Sequence, residues 1–281
     1  MDILYSDHER KYGNLQYVYP VISRRSQGLS LGINLNVDKY CNFDCPYCQV
    51  DRTEPNNLRF NFEAFKQELL MILGDISAGN IWNLNRFQSA KSEQKVFRDI
   101  AIAGDGEPST SPHLFDCMKY LEQVSGTYQL PEIVWISNAT GLNKRKTIES
   151  LDILSKMNGT VWAKLDAGTQ AYFETISASN YNLRRIQSLI ETVPNTVNLK
   201  IQSCFMKVEG SPPSHVEIKA YIERLRAISK KRSIKEIQIY TIARKPAQDF
   251  VSPLKLQEMK QLFADLSKLD LPVQFYAGAA D

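Results

Sequence analysis

Three cysteines fall within eight residues in the stretch KYCNFDCPYCQV: Cys41, Cys45 and Cys48. Thiolates are soft metal ligands, and three on one short segment read as a metal site rather than a disulfide framework. A structural zinc ion is closed by four protein ligands, usually in two pairs. Here the fourth would have to be His8, His113 or His215, none at a ligand-like spacing. An iron–sulfur cube normally takes four thiolates. Three leave one iron open to a ligand from outside, which is where a metal does chemistry.

The other two cysteines differ in setting. Cys117 shares an apolar helical face with Leu114, Met118 and Leu121, so it reads as core. Cys204 projects from the polar phase of a strand, as a hydrogen-atom donor, a substrate contact or an inert buried thiol.

Further polar groups cluster where strands end. In AGDGEPS (103–109), Gly104 and Gly106 permit close backbone approach, and Glu107 offers a carboxylate to a cation; Asp105 lies between the glycines. This is no dinucleotide fingerprint, because Ser109 stands where the third glycine belongs, and no Gly-Lys-Ser/Thr follows as a P-loop requires. ISNATG (136–141) supplies Ser137 and Asn138, and AKLDAGT (163–169) supplies Lys164 and Asp166 in one phase. Gln202 is a further candidate.

The elements that must position these groups alternate. Strands are predicted over 29–37, 97–104, 132–140, 159–168, 197–205 and 234–243, with a short closing strand at 272–277. Helices are predicted over 62–73, 111–124, 144–157, 181–192, 214–230 and 255–268, the third with Ile148, Leu151, Leu154 and Met157 inward. Residues 74–95 read as an irregular insertion or loop. Six β/α units imply parallel pairing and right-handed crossovers. One phase of several strands is polar: Asn34 and Asn36, Lys164 and Asp166, Lys200, Gln202 and Cys204, Gln238 and Tyr240. A closed barrel fills its lumen with bulky branched side chains. The polar phase therefore predicts an open, partial (β/α)6 TIM-like barrel with a wet or functional lining. The expected organisation is an N-terminal extension (1–28), a core barrel (29–246) and a C-terminal helix and short strand packed on it (247–281).

With 281 residues, 43% hydrophobic and 23% charged residues and a net charge of +3, the chain has the composition of a globular protein with a sizeable core. The mild positive balance permits an anionic partner without arguing for one. Short basic clusters (Arg24 and Arg25, Lys144 to Lys146, Lys230 to Arg232) read as solvated helix ends or loops. The first residues carry no apolar signal region, and no run approaches the ~18 apolar residues of a membrane span. A cytoplasmic protein, off the membrane and with reduced thiols, is expected, as is a monomer.

The motif Cys41-x3-Cys45-x2-Cys48, with the aromatic Tyr47 before its last cysteine, resembles the hallmark of the radical S-adenosylmethionine (radical SAM) superfamily. The resemblance implies a 4Fe–4S cluster on three thiolates, with SAM chelating the fourth iron through its amino and carboxylate groups. It implies that the segment Gly104, Asp105, Gly106, Glu107 binds the methionine amino group. Ser137 and Asn138 would lie near the ribose or methionine carboxylate, with Tyr47, Lys164, Asp166 and Gln202 as further SAM-binding candidates. It implies a one-electron donor, a flavodoxin or ferredoxin. The segments GDGEP, SNATG, LDAGT and the tail ARKPA…VSPLKLQEM are similar to the branch containing the tRNA wyosine-forming synthases, over roughly residues 29–260. Archaeal members of that branch carry an added N-terminal cysteine set, whereas residues 1–40 here hold no cysteine. A tRNA base is the first substrate expectation, a peptide or small molecule the alternative. A zinc-stabilised RNA-binding protein is the non-enzymatic reading.

Overall fold

The computed structural model describes residues 12–52 and 57–278, so His8 lies outside the described residues. Its strands, in chain order, are β1 (Val18–Ser23), β2 (Gly28–Ile33), β3 (Phe97–Ile102), β4 (Glu132–Ser137), β5 (Thr160–Lys164), β6 (Asn198–Cys204), β7 (Met206–Val208), β8 (Glu236–Tyr240), β9 (Val251–Pro253) and β10 (Val273–Tyr276). All but β7 and β9 form one sheet in chain order, and those two pair antiparallel as a separate ribbon. The pairs β2–β3, β3–β4, β6–β8 and β8–β10 are parallel, and β1 is antiparallel to β2. The helices are α1 (Phe62–Ser77), α2 (Leu114–Ser125), α3 (Arg145–Lys156), α4 (Gln170–Ser177), α5 (Leu183–Glu191), α6 (His215–Lys231) and α7 (Leu256–Leu262). The class is the one the alternation predicts, a mostly parallel α/β sheet of the partial (β/α)6 barrel type. Among the described residues no helix is long and apolar enough to cross a membrane.

The chain forms two compact units: Met1–Cys41, Pro55–Ile136 and Arg145–Thr160, and Asn42–Glu54, Ser137–Lys144 and Val161–Asp281. In the first unit the core is built from Leu31 and Ile33 of β2, Ile100 and Ile102 of β3 and Ile133 and Trp135 of β4. The inner stripes of α1 (Phe65, Leu69, Ile72) and α2 (Cys117, Met118, Leu121) are buried with them. Helix α1 starts where Asn61 accepts a hydrogen bond from the Ala64 amide. In the second unit Val161 and Ala163 of β5, Leu199 and Ile201 of β6 and Ile237 and Ile239 of β8 are buried, as are Tyr221, Leu225 and Ile228 of α6. Asn182 caps α5 and Ser214 caps α6 through their side-chain oxygens.

Several expectations are corrected. Helix α2 begins at Leu114 rather than at Ser111, because Pro108–Thr110 forms its own 3-10 turn and the Ser111 hydroxyl donates to Leu35 O at 3.2 Å. In α3 Ile148 is 45% exposed. The buried stripe there is Thr147, Ser150, Leu151, Ile153 and Leu154, and the Ser150 hydroxyl can be buried because it donates to Lys146 O at 2.7 Å. Helix α4 and strand β1 were not foreseen. Residues 74–95 are not a loop: α1 runs to Ser77, and short helical turns follow at Asn80–Asn83, Asn85–Gln88 and Ser92–Gln94, burying Ile81 and Phe87. Arg232 is not solvated: its guanidinium donates to Asn195 Oδ1 at 2.9 Å and to Val197 O.

The polar strand phase takes an unexpected form in the second unit. Lys200, Gln202 and Cys204 face Glu236, Gln238 and Tyr240 in register. Lys200 pairs with Glu236 at 2.8 Å, and Gln202 Nε2 donates to Gln238 Oε1 at 3.2 Å. At these rungs the polar phase is a ladder of cross-strand pairs rather than a wet lining.

Candidate functional site

The cysteine segment begins eight residues beyond the end of β2. Asn34 and Asn36, predicted within that strand, lie past its end and are buried. Asn34 does the structural work of the first unit's loops. Its Nδ2 donates to Asp105 Oδ2 at 2.8 Å, and its Oδ1 accepts from the amides of Asn36 and Asp105, each at 3.1 Å. The segment that leads to Cys41 is thereby laid on the Gly104–Glu107 turn. The two glycines are needed for this. A Cβ on Gly106 would stand 1.9 Å from Tyr40 O, and one on Gly104 would stand 2.3 Å from Asn34 Oδ1. Glu107 is buried, and its Oε1 accepts from Ser109 N at 3.0 Å, which starts the 3-10 turn.

In the second unit the segment from Asn42 onward is tied down along its length. Asn42 Nδ2 donates to Thr140 Oγ1 at 2.8 Å, and Asn138 Nδ2 donates to Asn42 Oδ1 at 2.9 Å. The Phe43 ring lies 5.6 Å from Phe173 and 5.7 Å from Tyr181. Asp44 N donates to Ser177 O at 3.0 Å, and Gln248 N donates to Pro46 O at 3.0 Å. Thus α4, absent from the sequence-based reading, holds this segment through Phe173 and Ser177.

Tyr47 enters an ionic network. Its hydroxyl donates to Asp166 Oδ2 at 2.5 Å. Lys164 Nζ lies 3.2 Å from the same oxygen and donates to Tyr240 Oη at 2.6 Å. Asp166 Oδ1 accepts from Cys204 N at 2.7 Å. The Lys164 ammonium also stands 5.2 Å from the Tyr47 ring centre and 5.1 Å from that of Tyr240, within cation–π range. Burial opposes the charge on Lys164, but the Asp166 carboxylate and the Tyr240 phenol outweigh it, so its pKa is raised and it is a cation at neutral pH. Behind the AKLDAGT loop, Glu217 of α6 accepts from Gly168 N, from Thr169 N at 2.9 Å and from the Thr169 hydroxyl at 2.5 Å. A cavity of about 340 Å³ borders this loop, lined among others by Thr169, Tyr172, Pro213 and Glu217; none of the cysteines lines it.

The cysteines themselves are free of disulfides, and Cys41, Cys45 and Cys48 are half-buried. Burial first, then the Asp166 carboxylate, push the Cys45 thiol up to about 12, so it carries its proton at neutral pH. Arg52 Nη1 donates to Cys48 Sγ at 3.1 Å. Donor chemistry suits a soft metal centre: three thiols outside any disulfide on one short segment and a guanidinium at one of them. Among the described residues no three His, Cys, Asp or Glu side chains form a metal-ligating group. His113 stacks on Phe60 at 4.7 Å, and His215 is exposed at the start of α6. Buried Cys204 has its thiol lifted above the usual range by burial, with the Lys164 charge opposing, and Cys117 is core as expected.

Ser137 ends β4 and Asn138 follows it; the Ser137 hydroxyl accepts from Ala139 N at 3.0 Å and Asn138 Oδ1 accepts from Thr140 N at 3.1 Å. Sequence reasoning did not single out Asn34, Asn42, Arg52 or Glu217 for the site. It gave Tyr240 a place in the polar phase and at the head of the YTIARKPA segment (240–247), where the resemblance implies backbone contacts to the adenine, but no side-chain partner. Arg52 follows Cys48 by four residues, and Asn42 adjoins Cys41; those two positions were the available signals.

No family model matches the chain. It is 30% identical to a UPF0026 protein of Helicobacter pylori strain 26695 over 105 residues, 37% of this chain and 29% of that protein. With the UPF0026 protein of strain J99 it shares 30% over 112 residues, 39% of this chain and 31% of that one. The chain thus spans about three tenths of the length of these curated relatives. Among solved structures it is similar to SuiB of Streptococcus suis bound to S-adenosylmethionine, with TM-score 0.61, 13% identity and coverage of 90% of this chain and 52% of that one. TYW1 with a lysine-pyruvate adduct bound gives TM-score 0.58, 16% identity, 85% and 73%. Methylornithine synthase (PylB) gives 0.52, 11%, 87% and 63%. These neighbours are radical SAM enzymes, and the fold is the one they share.

Proposed function

We propose that this chain is a radical SAM enzyme in which Cys41, Cys45 and Cys48 hold a 4Fe–4S cluster. The observation that carries the reading is the three-cysteine segment after β2, in a fold shared with an S-adenosylmethionine-bound structure. When bound, the cluster with SAM supplies reductive cleavage: one electron from a flavodoxin or ferredoxin yields methionine and a 5′-deoxyadenosyl radical that takes a hydrogen atom from substrate.

The chain's own residues supply position and charge. Gly104, Asp105 and Gly106 offer backbone at close approach, and Glu107 offers a carboxylate for the methionine amino group. Lys164, a fixed cation, suits the methionine carboxylate. Ser137, Asn138, Asp166 and Gln202 offer further polar contacts to SAM, and Tyr47 borders the same group. Cys204 keeps its S–H at neutral pH, as a hydrogen-atom donor must. The substrate class we favour is a tRNA base, on the likeness of GDGEP, SNATG and LDAGT to the wyosine-forming branch. Cytoplasmic reducing conditions and a monomer complete the proposal.

The test is anaerobic reconstitution followed by iron analysis and deoxyadenosine assay. About four irons per chain and SAM cleavage are expected, and Cys45→Ala should abolish both. A colourless zinc protein that binds RNA with a steep salt slope would overturn the proposal.

A further inference from the structure

Between Cys45 and Cys48 the segment is held at two points, the Pro46 carbonyl and the Tyr47 hydroxyl. The second is a 2.5 Å O–H···O contact onto a carboxylate that is itself immobilised. Asp166 is fixed on one oxygen by the backbone of β6 through Cys204 N, and on the other by the Lys164 ammonium. Lys164 is braced in turn by Tyr240. A hydrogen bond to an ionised acceptor is roughly twice as strong as a neutral one, and low local dielectric strengthens it further. The phenol thus spends its hydrogen-bond donor on Asp166, while its ring borders Lys164.

We propose that Asp166 is a positioning residue for the cysteine segment: through the Tyr47 hydroxyl it sets the geometry of Cys45 and Cys48. This rests on the reading of these cysteines as cluster ligands, and it goes beyond that reading by giving Asp166 and Tyr47 a role toward the thiols rather than toward SAM alone. In the metal-free chain the latch restrains the two thiols. In the loaded chain it restrains the cluster they hold.

The test compares wild type, Tyr47→Phe and Asp166→Asn in two readouts. The first is alkylation of the metal-free protein by iodoacetamide, followed at each cysteine by mass spectrometry. Tyr47→Phe should raise the rates at Cys45 and Cys48 about tenfold, with a smaller change at Cys41. Asp166→Asn, which keeps an acceptor oxygen, should give an intermediate rate. The second is the electron paramagnetic resonance spectrum and midpoint potential of the reconstituted cluster without SAM, both of which should shift in Tyr47→Phe at unchanged iron content. Alkylation rates and spectra identical to wild type would overturn the latch. Failure of wild type to take up iron would instead overturn the cluster reading, and the alkylation readout would still decide on the latch.

Discussion

Asp99, near the start of β3, and Asp166, just past the end of β5, are both acidic side chains drawn out of water, one in each compact unit. Their surroundings differ in kind. Asp99 Oδ1 accepts from the Ser30 hydroxyl, while its Oδ2 has no hydrogen-bond partner among the described residues. Burial raises its pKa, the hydroxyls of Ser26 and Ser30 oppose that, and Glu132, its register partner on β4, adds to the rise. Asp166 has an ammonium, a phenol and an amide on its two oxygens. The first site accommodates a carboxyl group; the second is built around a carboxylate. Exposure alone does not separate their roles; their partners give them opposite consequences on removal.

The largest effect that would sharpen this contrast is at Asp166. Asp166→Ala leaves Lys164 as a buried cation without its counter-ion, and a loss of about 3–5 kcal/mol is expected by urea denaturation. A loss under about 1 kcal/mol would break the contrast. Tyr240→Phe removes the brace on Lys164 but no charge, so about 1 kcal/mol is expected in the same measurement. Asp99→Asn should be near neutral or stabilising at pH 7, and its effect should depend on pH. Folded, Asp99 holds its proton to higher pH than when unfolded. Its contribution is therefore full below the unfolded value near 4 and is lost as pH rises through the folded value. The melting temperatures of wild type and Asp99→Asn should differ least below pH 4, with the variant gaining as pH rises. A gap that narrows with rising pH would contradict this account.

What the sequence disclosed follows the range of the signal. The cysteine spacing, the β/α alternation and the GDGE turn are local patterns, and each lies where its residues predict. Helix α4 escaped because it has eight residues and only Phe173 and Ile176 as large inward side chains. The stripe of α3 was misread because Thr147 and Ser150 are buried where an apolar residue was sought. The pairing of Asn42 with Asn138 joins positions 96 residues apart, and that of Lys164 with Tyr240 joins positions 76 apart; both depend on how distant segments come together in the fold, which spacing along the chain does not encode. For the same reason residues on the polar phase were identifiable while their partners were not.

Strand β1 has a consequence for handling the protein. It covers the outer hydrogen-bonding edge of β2, and its own edge is blunted by Pro20, which has no amide hydrogen to offer, and by Glu68, whose Oε2 accepts from the Val18 amide at 3.3 Å. Removing residues up to Ser26 would bare the amides and carbonyls of an apolar strand to other copies of the chain. Such a truncation should refold with a soluble yield that drops as protein concentration increases, as light scattering would reveal. On that expectation β1 shields the β2 edge from pairing with another copy.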